Sequence, residues 1–286
     1  IPYSLGNSSM KRLSWALSLL ISLLGTTVIA EEMAIQEHQH KPAQTFDRKT
    51  ALDTSQSAIG NQLEEYHFFT SLGEKKKLGD YRGKPLVISL IYTSCFHICP
   101  TTTKHLDKVI GKAQSVLGED SFNVVTIGFD SANDTADAMR IFAKQQSVNE
   151  DNWDFLASDK ETIIQLSKQL GFQFFPSPNG FDHLVQTTLL DKHGVVNRQV
   201  YGIQFQTPHL VEPLKQLVFG EKADQSLFQQ ITDKVRLFCT VYDPYSDSYK
   251  FDYSIFVGLF IGLTIGGLMI ILFIREWRYS KAERNK

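Results

Sequence analysis

The hydrophobic pattern of the chain changes from a continuous apolar run to helical spacing between residues 85 and 117. The run Pro85–Tyr92 has the length and the β-branched composition of a buried strand. Beyond it, apolar side chains recur every three or four positions, which predicts a helix from about Thr101 to Leu117. Pro100 suits the first turn of that helix, where its missing N–H costs no hydrogen bond. Residues 93–100 are therefore predicted to form a strand-to-helix turn.

Similar patterns recur downstream and indicate an α/β fold. The predicted strands are 122–129, 184–190 and 195–201, the last two forming a hairpin, and the predicted helices are 136–145, 160–170 and 208–219. Residues 172–178, which are aromatic and proline-rich, are predicted to be a covering loop. Together these elements predict a parallel centre with an antiparallel hairpin and flanking helices.

Residues 10–30 have the pattern of a secretory signal peptide. Lys11 and Arg12 form a short positive region, and residues 13–28 are apolar. Small residues before the expected cleavage point at Ala30 favour a cleaved signal peptide, and an uncleaved anchor is the alternative. Both alternatives place the following domain outside the cytoplasm.

Between the predicted signal peptide and the predicted transmembrane helix, the sequence pattern divides the chain into three segments. Residues 31–64 are polar and lack clear periodicity, so we interpret them as a linker. Residues 65–222 are then a single folded domain of ordinary size. Residues 223–253 are interpreted as a helix followed by a juxtamembrane segment. A formal net charge of −2 gives no large electrostatic field, so a nucleic-acid partner is not expected.

A transmembrane helix is predicted at residues 254–274, because no charged side chain occurs from 255 to 274. Basic residues are frequent in the tail, residues 275–286, which the positive-inside rule places in the cytoplasm. The folded domain would then lie in the periplasm, tethered to the inner membrane by its C-terminus. Three glycines spaced four residues apart could let two such helices pack as a homodimer, although glycine is common in membrane helices.

Two of the three cysteines, Cys95 and Cys99, lie in the strand-to-helix turn. Sulfurs at the positive end of a helix ionise more easily, and the thiolate is the form that binds metal or attacks a disulfide. A structural disulfide here would close a very small loop and add little stability. His97 between them is a further ligand candidate. Cys239 is left over, either as a third thiol or as an inert buried cysteine.

Four motifs in register resemble the SCO/SenC proteins, a family of thioredoxin-like, copper-binding factors in cytochrome c oxidase assembly. The strand–TSCxxxCP–helix motif at 93–100 is preceded by GDYRGKP at 79–85. The strand VVTIGFD at 124–130 is followed by NDT at 133–135, and Asp182-His183 precedes an apolar strand. The resemblance implies a thioredoxin-like fold with an N-terminal hairpin extension, plus the C-terminal transmembrane helix.

The same resemblance implies a copper site made of Cys95, Cys99 and His183. Thiolates are soft ligands that select Cu(I), and an imidazole extends the site to Cu(II). The implied function is a copper chaperone for the copper centre in subunit II of cytochrome c oxidase. The alternative is a membrane-anchored thiol–disulfide oxidoreductase in which Cys95 and Cys99 are the redox pair. Asp130, at the end of a predicted strand, could tune the site or be an ordinary turn residue.

Overall fold

The computed structural model of the chain describes residues 45–148, 152–220 and 240–284. The predicted signal peptide and Cys239 lie outside the described residues, as does the predicted helix of residues 224–237.

The described part of the chain alternates strands and helices. The helices are α1 Arg48–Ser57, α2 Ile98–Leu117, α3 Ala136–Gln146, α4 Lys160–Gln169, α5 Thr207–Gly220 and α6 Ser254–Arg284. The strands are β1 His67–Thr70, β2 Lys75–Lys77, β3 Leu86–Ile91, β4 Asn123–Gly128, β5 Trp153–Ala157, β6 Phe174–Ser177, β7 Gly180–His183, β8 Gln186–Leu190, β9 Val196–Tyr201, β10 Thr240–Asp243 and β11 Ser248–Phe251.

A central mixed sheet has the order β2-β1-β5-β4-β3-β8-β9. Strands β3, β4 and β5 are parallel, whereas β1 and β8 pair antiparallel on either side of them. Every residue of β3 is buried, which explains its continuous apolar run. The fold class predicted from the sequence is therefore confirmed, with β1 and β2 as the N-terminal hairpin. Strand β5 was not predicted, because its five residues are too few to show a periodic pattern.

Helix α2 follows the cysteine turn directly and holds its C-terminal end in place. It begins at Ile98, three residues before the predicted start, so that Pro100 lies in its first turn. Its buried face is the predicted one, and it includes Leu106, Val109 and Ile110. Burial of large apolar side chains contributes about 1.5–3 kcal/mol each, so the start of α2 is firmly held against the sheet.

The linker predicted for residues 31–64 is wrong in its second half. Residues 48–57 form α1, whose first turn is capped by the Asp47 carboxylate accepting the Thr50 amide at 2.8 Å. Ala51 and Leu63 are fully buried against the domain. Helix α1 buries only small residues of its own, so it lacks the apolar periodicity by which a helix is recognised in a sequence.

The covering loop predicted for residues 172–178 is also wrong. Residues 174–177 form β6, which pairs antiparallel with β7, and His183 lies opposite Phe174 at the end of the hairpin. Pro176 is tolerated there because a two-stranded sheet leaves half of its backbone groups without a ladder partner. The β6–β7 hairpin is separate from the central sheet, and it carries His183.

A second separate hairpin, β10–β11, immediately precedes α6. Asp247 in its turn forms an ion pair with Lys112 of α2 and accepts the Thr207 hydroxyl of α5 at 2.8 Å. Lys215 of α5 donates to the Thr240 carbonyl at 2.6 Å. Among the described residues, one helical segment is long and apolar enough to cross a membrane, Phe256–Arg278 in α6. The hairpin therefore joins the folded domain to the candidate membrane helix.

Candidate metal and thiol site

The two cysteines lie in the turn between β3 and α2, and both are free thiols. The Cys95 amide donates to the Tyr92 carbonyl at 3.1 Å, which closes the turn. The Cys99 amide, in the first turn of α2, donates to the Cys95 sulfur at 3.3 Å. Cys95 is 9% exposed and Cys99 is 3% exposed. The outer sulfur of the pair is therefore Cys95, and a backbone donor from the helix N-terminus already points at it.

The surroundings of the two sulfurs drive their ionisation in opposite directions. The pKa of Cys95 is held far below its usual value, first by the hydrogen bond from the Cys99 thiol and then by the amides of Cys99 and His97. The pKa of Cys99 is raised, because its proton is held between the two sulfurs and because it is buried. The two shifts favour ionisation of Cys95 before Cys99.

A buried carboxylate fixes the turn from the next strand. Asp134, which is 1% exposed, accepts the amide and the hydroxyl of Thr93, both at 2.7 Å, and the Asp130 amide at 2.9 Å. Burial raises the pKa of Asp134, and these donors oppose that shift. A Cβ atom at Gly128 would lie 2.4 Å from the Asp134 Cβ, so only glycine fits beside the carboxylate.

The structure thus shows Asp134 as the carboxylate that fixes the cysteine turn, and Asp130 as the ordinary turn residue that was the alternative in the sequence analysis. The Asp130 carboxylate is only half-buried and accepts from the Asn133 side chain at 2.7 Å, within its own turn. The signal in the sequence was the aspartate directly before Thr135, the residue that caps α3. Position at the end of a strand does not by itself tell which of two aspartates, Asp130 or Asp134, fixes the cysteine turn.

His183 ends β7 with its ring oriented by the backbone. Its Nδ1 lies 2.8 Å from the Leu184 carbonyl oxygen. Because a carbonyl only accepts, Nδ1 carries the proton, and the lone pair of the ring is on Nε2. Burial lowers the pKa of His183, which keeps the imidazole neutral at pH 7. A neutral ring fixed through one nitrogen is the form in which histidine binds metals.

An aromatic cluster brings the His183 ring to the cysteine edge of the sheet. The ring centroid lies 5.3 Å from that of Phe129 and 6.2 Å from that of Tyr92, the residue that begins the cysteine turn. The Cys95 thiolate attracts a proton on His183 and so raises its pKa against the larger effect of burial. Cys95, Cys99 and His183 therefore share one edge of the domain.

The three groups are neighbours, but they are not assembled as ligands around one point. Within residues 45–148, 152–220 and 240–284, no three His, Cys, Asp or Glu side chains converge closely enough to hold an ion. The two sulfurs lie side by side, whereas His183 is held on the separate β6–β7 hairpin.

The residues between the cysteines face solvent. Phe96 is 95% exposed, and His97 and Ile98 are also exposed. The His97 carbonyl accepts the amide and the hydroxyl of Thr101, which fixes its backbone in the first turn of α2 while its ring stays outside. His97 is thus on the outer face of the turn, next to a large apolar side chain that the sequence did not predict to be uncovered.

Comparisons with known proteins match the part of the chain that contains Cys95, Cys99 and His183. Residues 54–218 match the family model described as SCO1/SenC. The SCO1 protein homolog of Bacillus subtilis is 26% identical over 157 residues, which are 53% of this chain and 79% of that protein.

Solved structures agree with the sequence comparisons. A protein of Aquifex aeolicus VF5 is 27% identical, with a TM-score of 0.53, and the match covers 59% of this chain and 99% of that one. A SCO1/SenC family lipoprotein of Bacillus anthracis is 23% identical, with a TM-score of 0.51 over 55% of this chain and 95% of that one. The central sheet is the thioredoxin-like arrangement that the sequence predicts.

Proposed function

The chain belongs to the SCO1/SenC family, and on that premise we propose that it is a copper chaperone for the copper centre of cytochrome c oxidase. Cys95 and Cys99 bind copper, and His183 completes the site. The proposal rests chiefly on one observation: two adjacent cysteine sulfurs lie at the same edge of the domain as an imidazole whose Nδ1 is held by a backbone carbonyl, which leaves Nε2 as its metal-binding nitrogen.

The ligand set suits copper in either oxidation state. Cu(I) prefers soft sulfur ligands, so Cys95 and Cys99 suffice to hold it. Cu(II) favours nitrogen as well, which gives His183 its role. The Cys99 thiol must lose its proton when the ion binds, because only a thiolate is a strong ligand. Copper affinity therefore rises with pH through the ionisation of Cys99.

Transfer to the acceptor proceeds by ligand exchange. An incoming thiolate of the acceptor replaces one sulfur of the pair at a time, so the ion is never without ligands. The acceptor is subunit II of cytochrome c oxidase or a protein with a similar copper site. Anchoring by the candidate membrane helix in α6 keeps the chaperone on the inner membrane with its domain in the periplasm.

A copper titration of the full-length chain in detergent tests the proposal. His183→Ala should retain Cu(I) binding and lose most Cu(II) binding, whereas Cys95→Ser should lose both. His193→Ala is the matched control, because His193 is an exposed histidine in the β8–β9 turn. Unchanged Cu(I) binding in Cys95→Ser would reject the sulfur site, and unchanged Cu(II) binding in His183→Ala would reject the histidine ligand.

A second function, thiol–disulfide exchange, is favoured by the unequal ionisation of the two sulfurs. The Cys95 thiolate would attack a disulfide of the acceptor, form a mixed disulfide and release one acceptor thiolate. Cys99, after losing its proton, would attack Cys95 and release the second. After the reaction this protein carries a Cys95–Cys99 disulfide and the acceptor carries two thiols. The two electrons that this protein loses are therefore the two that the acceptor gains. Copper-free reduction of a disulfide substrate that survives His183→Ala would support this function.

A further inference from the structure

Tyr92 lies between the cysteine turn and the hairpin that carries His183. It follows β3 directly, is 6% exposed, and its carbonyl accepts the Cys95 amide. Its ring packs edge-on against Phe181 of β7, with centroids 5.3 Å apart. One side chain therefore contacts both elements that have to converge for copper to be held by sulfur and nitrogen together.

Gly180 is the point at which the hairpin rests on that ring. A Cβ atom at residue 180 would lie 2.7 Å from the Tyr92 hydroxyl oxygen and 3.0 Å from the ring carbon Cε2. These separations are shorter than van der Waals contact, so a side chain at this position would force the hairpin and the tyrosine ring apart. The backbone of Gly180 also has φ of +116°, which side-chain-bearing residues rarely adopt.

The Tyr92 hydroxyl lies at the junction of the two elements. Its oxygen is the atom that approaches the hairpin most closely at Gly180, and the backbone of the same residue closes the cysteine turn, because its carbonyl accepts the Cys95 amide at 3.1 Å. The side chain of Tyr92 therefore contacts the hairpin while its main chain is part of the turn that holds the outer sulfur.

We propose that Tyr92 and Gly180 are a positioning pair that holds the β6–β7 hairpin, and with it His183, beside the cysteine turn. Neither residue is a copper ligand. The pair sets where the imidazole lies relative to Cys95, and so it selects how well the site holds Cu(II) without altering the sulfur pair that holds Cu(I). This inference rests on the proposed function, because it takes His183 as the nitrogen ligand.

Two single variants and their combination test the pair. Tyr92→Phe removes the hydroxyl that lies against Gly180 but keeps the ring, and we expect about a tenfold loss of Cu(II) affinity, in the range found when groups that orient a ligand are removed. Gly180→Ala displaces the hairpin and should cost more. The double variant should lose less than the product of the two single losses, because removing the hydroxyl relieves the closest clash. Cu(I) affinity should change less than threefold throughout.

Matched controls separate positioning from loss of folding. Gly202→Ala changes a glycine with a similar φ of +110° that has open space around its Cα. Tyr81→Phe changes a buried tyrosine in the N-terminal part of the domain. Its hydroxyl donates a hydrogen bond to Asp154. Neither control should alter the ratio of Cu(II) to Cu(I) affinity, and retained Cu(I) binding shows that each variant is folded.

The outcome is read against His183→Ala in the same titration. If His183→Ala weakens Cu(II) binding while Tyr92→Phe and Gly180→Ala leave it unchanged, the positioning pair is rejected and the proposed function stands. If His183→Ala itself has no effect on Cu(II), the nitrogen ligand of the proposed function is rejected. Equal losses of Cu(I) and Cu(II) affinity in the Gly180 variant would also overturn the positioning role.

Discussion

The carboxylate of Asp134 accepts both the backbone amide and the side-chain hydroxyl of Thr93, each at 2.7 Å. This bond pair joins the turn after β4 to the residue two places before Cys95. The cysteine turn is thereby fixed from the neighbouring strand, as well as by its own helix. The position of the outer sulfur depends on a residue about 40 positions further along the chain.

Asp134→Asn should destabilise the protein by about 2 kcal/mol, within the range for leaving buried donors without an acceptor. The side-chain NH2 group of asparagine would face a group that is itself a hydrogen-bond donor. At least one hydrogen bond that the carboxylate now accepts would therefore be lost. Chemical denaturation of the metal-free protein measures the change. Asp130→Asn is the control, because Asp130 is half-exposed and bonded within its own turn, and it should cost less than about 0.5 kcal/mol. Equal effects of the two variants would contradict the role given to Asp134.

Cys99→Ala should raise the pKa of Cys95, because the Cys99 thiol is the largest cause of its lowered value. At pH 6 the native pair should show one thiolate, and the variant should lose much of that signal. Thiolate ultraviolet absorbance of the reduced, metal-free protein, with Cys95→Ala subtracted, measures this. Cys99→Ser keeps a hydroxyl donor and should lie between native protein and Cys99→Ala. An unchanged titration in Cys99→Ala would show that the helix N-terminus alone ionises Cys95.

Gly171→Ala should destabilise the packing of α1. A Cβ at residue 171 would lie 2.6 Å from the Thr54 carbonyl oxygen and 2.8 Å from the Ser55 Cα, both backbone atoms of α1. Helix and domain must separate to accept it, so we expect a loss of about 2 kcal/mol or more in unfolding free energy. Gly73→Ala, also at positive φ but with open space, should cost only about 1 kcal/mol. Similar losses would mean that α1 contributes little to the fold.

Asp247→Ala should release the β10–β11 hairpin from the domain. The substitution removes the ion pair with Lys112 and the acceptor of the Thr207 and Tyr242 hydroxyls. Hydrogen exchange of the backbone amides of residues 240–251 should become faster, while the amides of β3 and β4 keep their protection.

Acid should weaken the contacts that the Asp247 carboxylate makes with Lys112, Thr207 and Tyr242. These donors hold the pKa of Asp247 at about 2, below its usual value of 3.8, so its contribution is present above about pH 4 and is lost as pH falls towards 2. Asp120→Ala, which removes the remote and exposed ion pair with Lys84, is the control. Unchanged exchange in the Asp247 variant would contradict the anchoring role.

The sequence predicts the buried centre well and the polar periphery poorly, for a physical reason. Strands β3 and β4 are enclosed on both faces, and all their residues except Asn123 are buried, so their apolar runs are easily recognised in the sequence. Helix α1 contributes few apolar contacts of its own, and its position depends on Gly171 more than on its own sequence. Such an element leaves no periodic pattern.

The site follows the same division. The CxxxC turn is local, so its spacing and its place at a helix start can be predicted from consecutive residues. The contact of Tyr92 with Gly180 joins positions 88 residues apart, and it depends on how a separate hairpin lies on the sheet. The choice of Asp134 over Asp130 depends on the exact turn after β4. Neither relationship has a signature in a single sequence.

Lys215 is 3% exposed, and burial lowers the pKa of its ammonium group, whose hydrogen-bond acceptor is the Thr240 carbonyl in β10. A truncated version ending near residue 220 would keep the ammonium group and its longer contact with Glu212, at 3.8 Å, but would discard the carbonyl that accepts its hydrogen bond, an arrangement that buried charges tolerate badly. A version of the chain that is expressed without the candidate membrane helix should therefore extend through Phe251, at the end of β11. The hairpin that precedes the candidate membrane helix is, in this respect, an integral part of the globular domain.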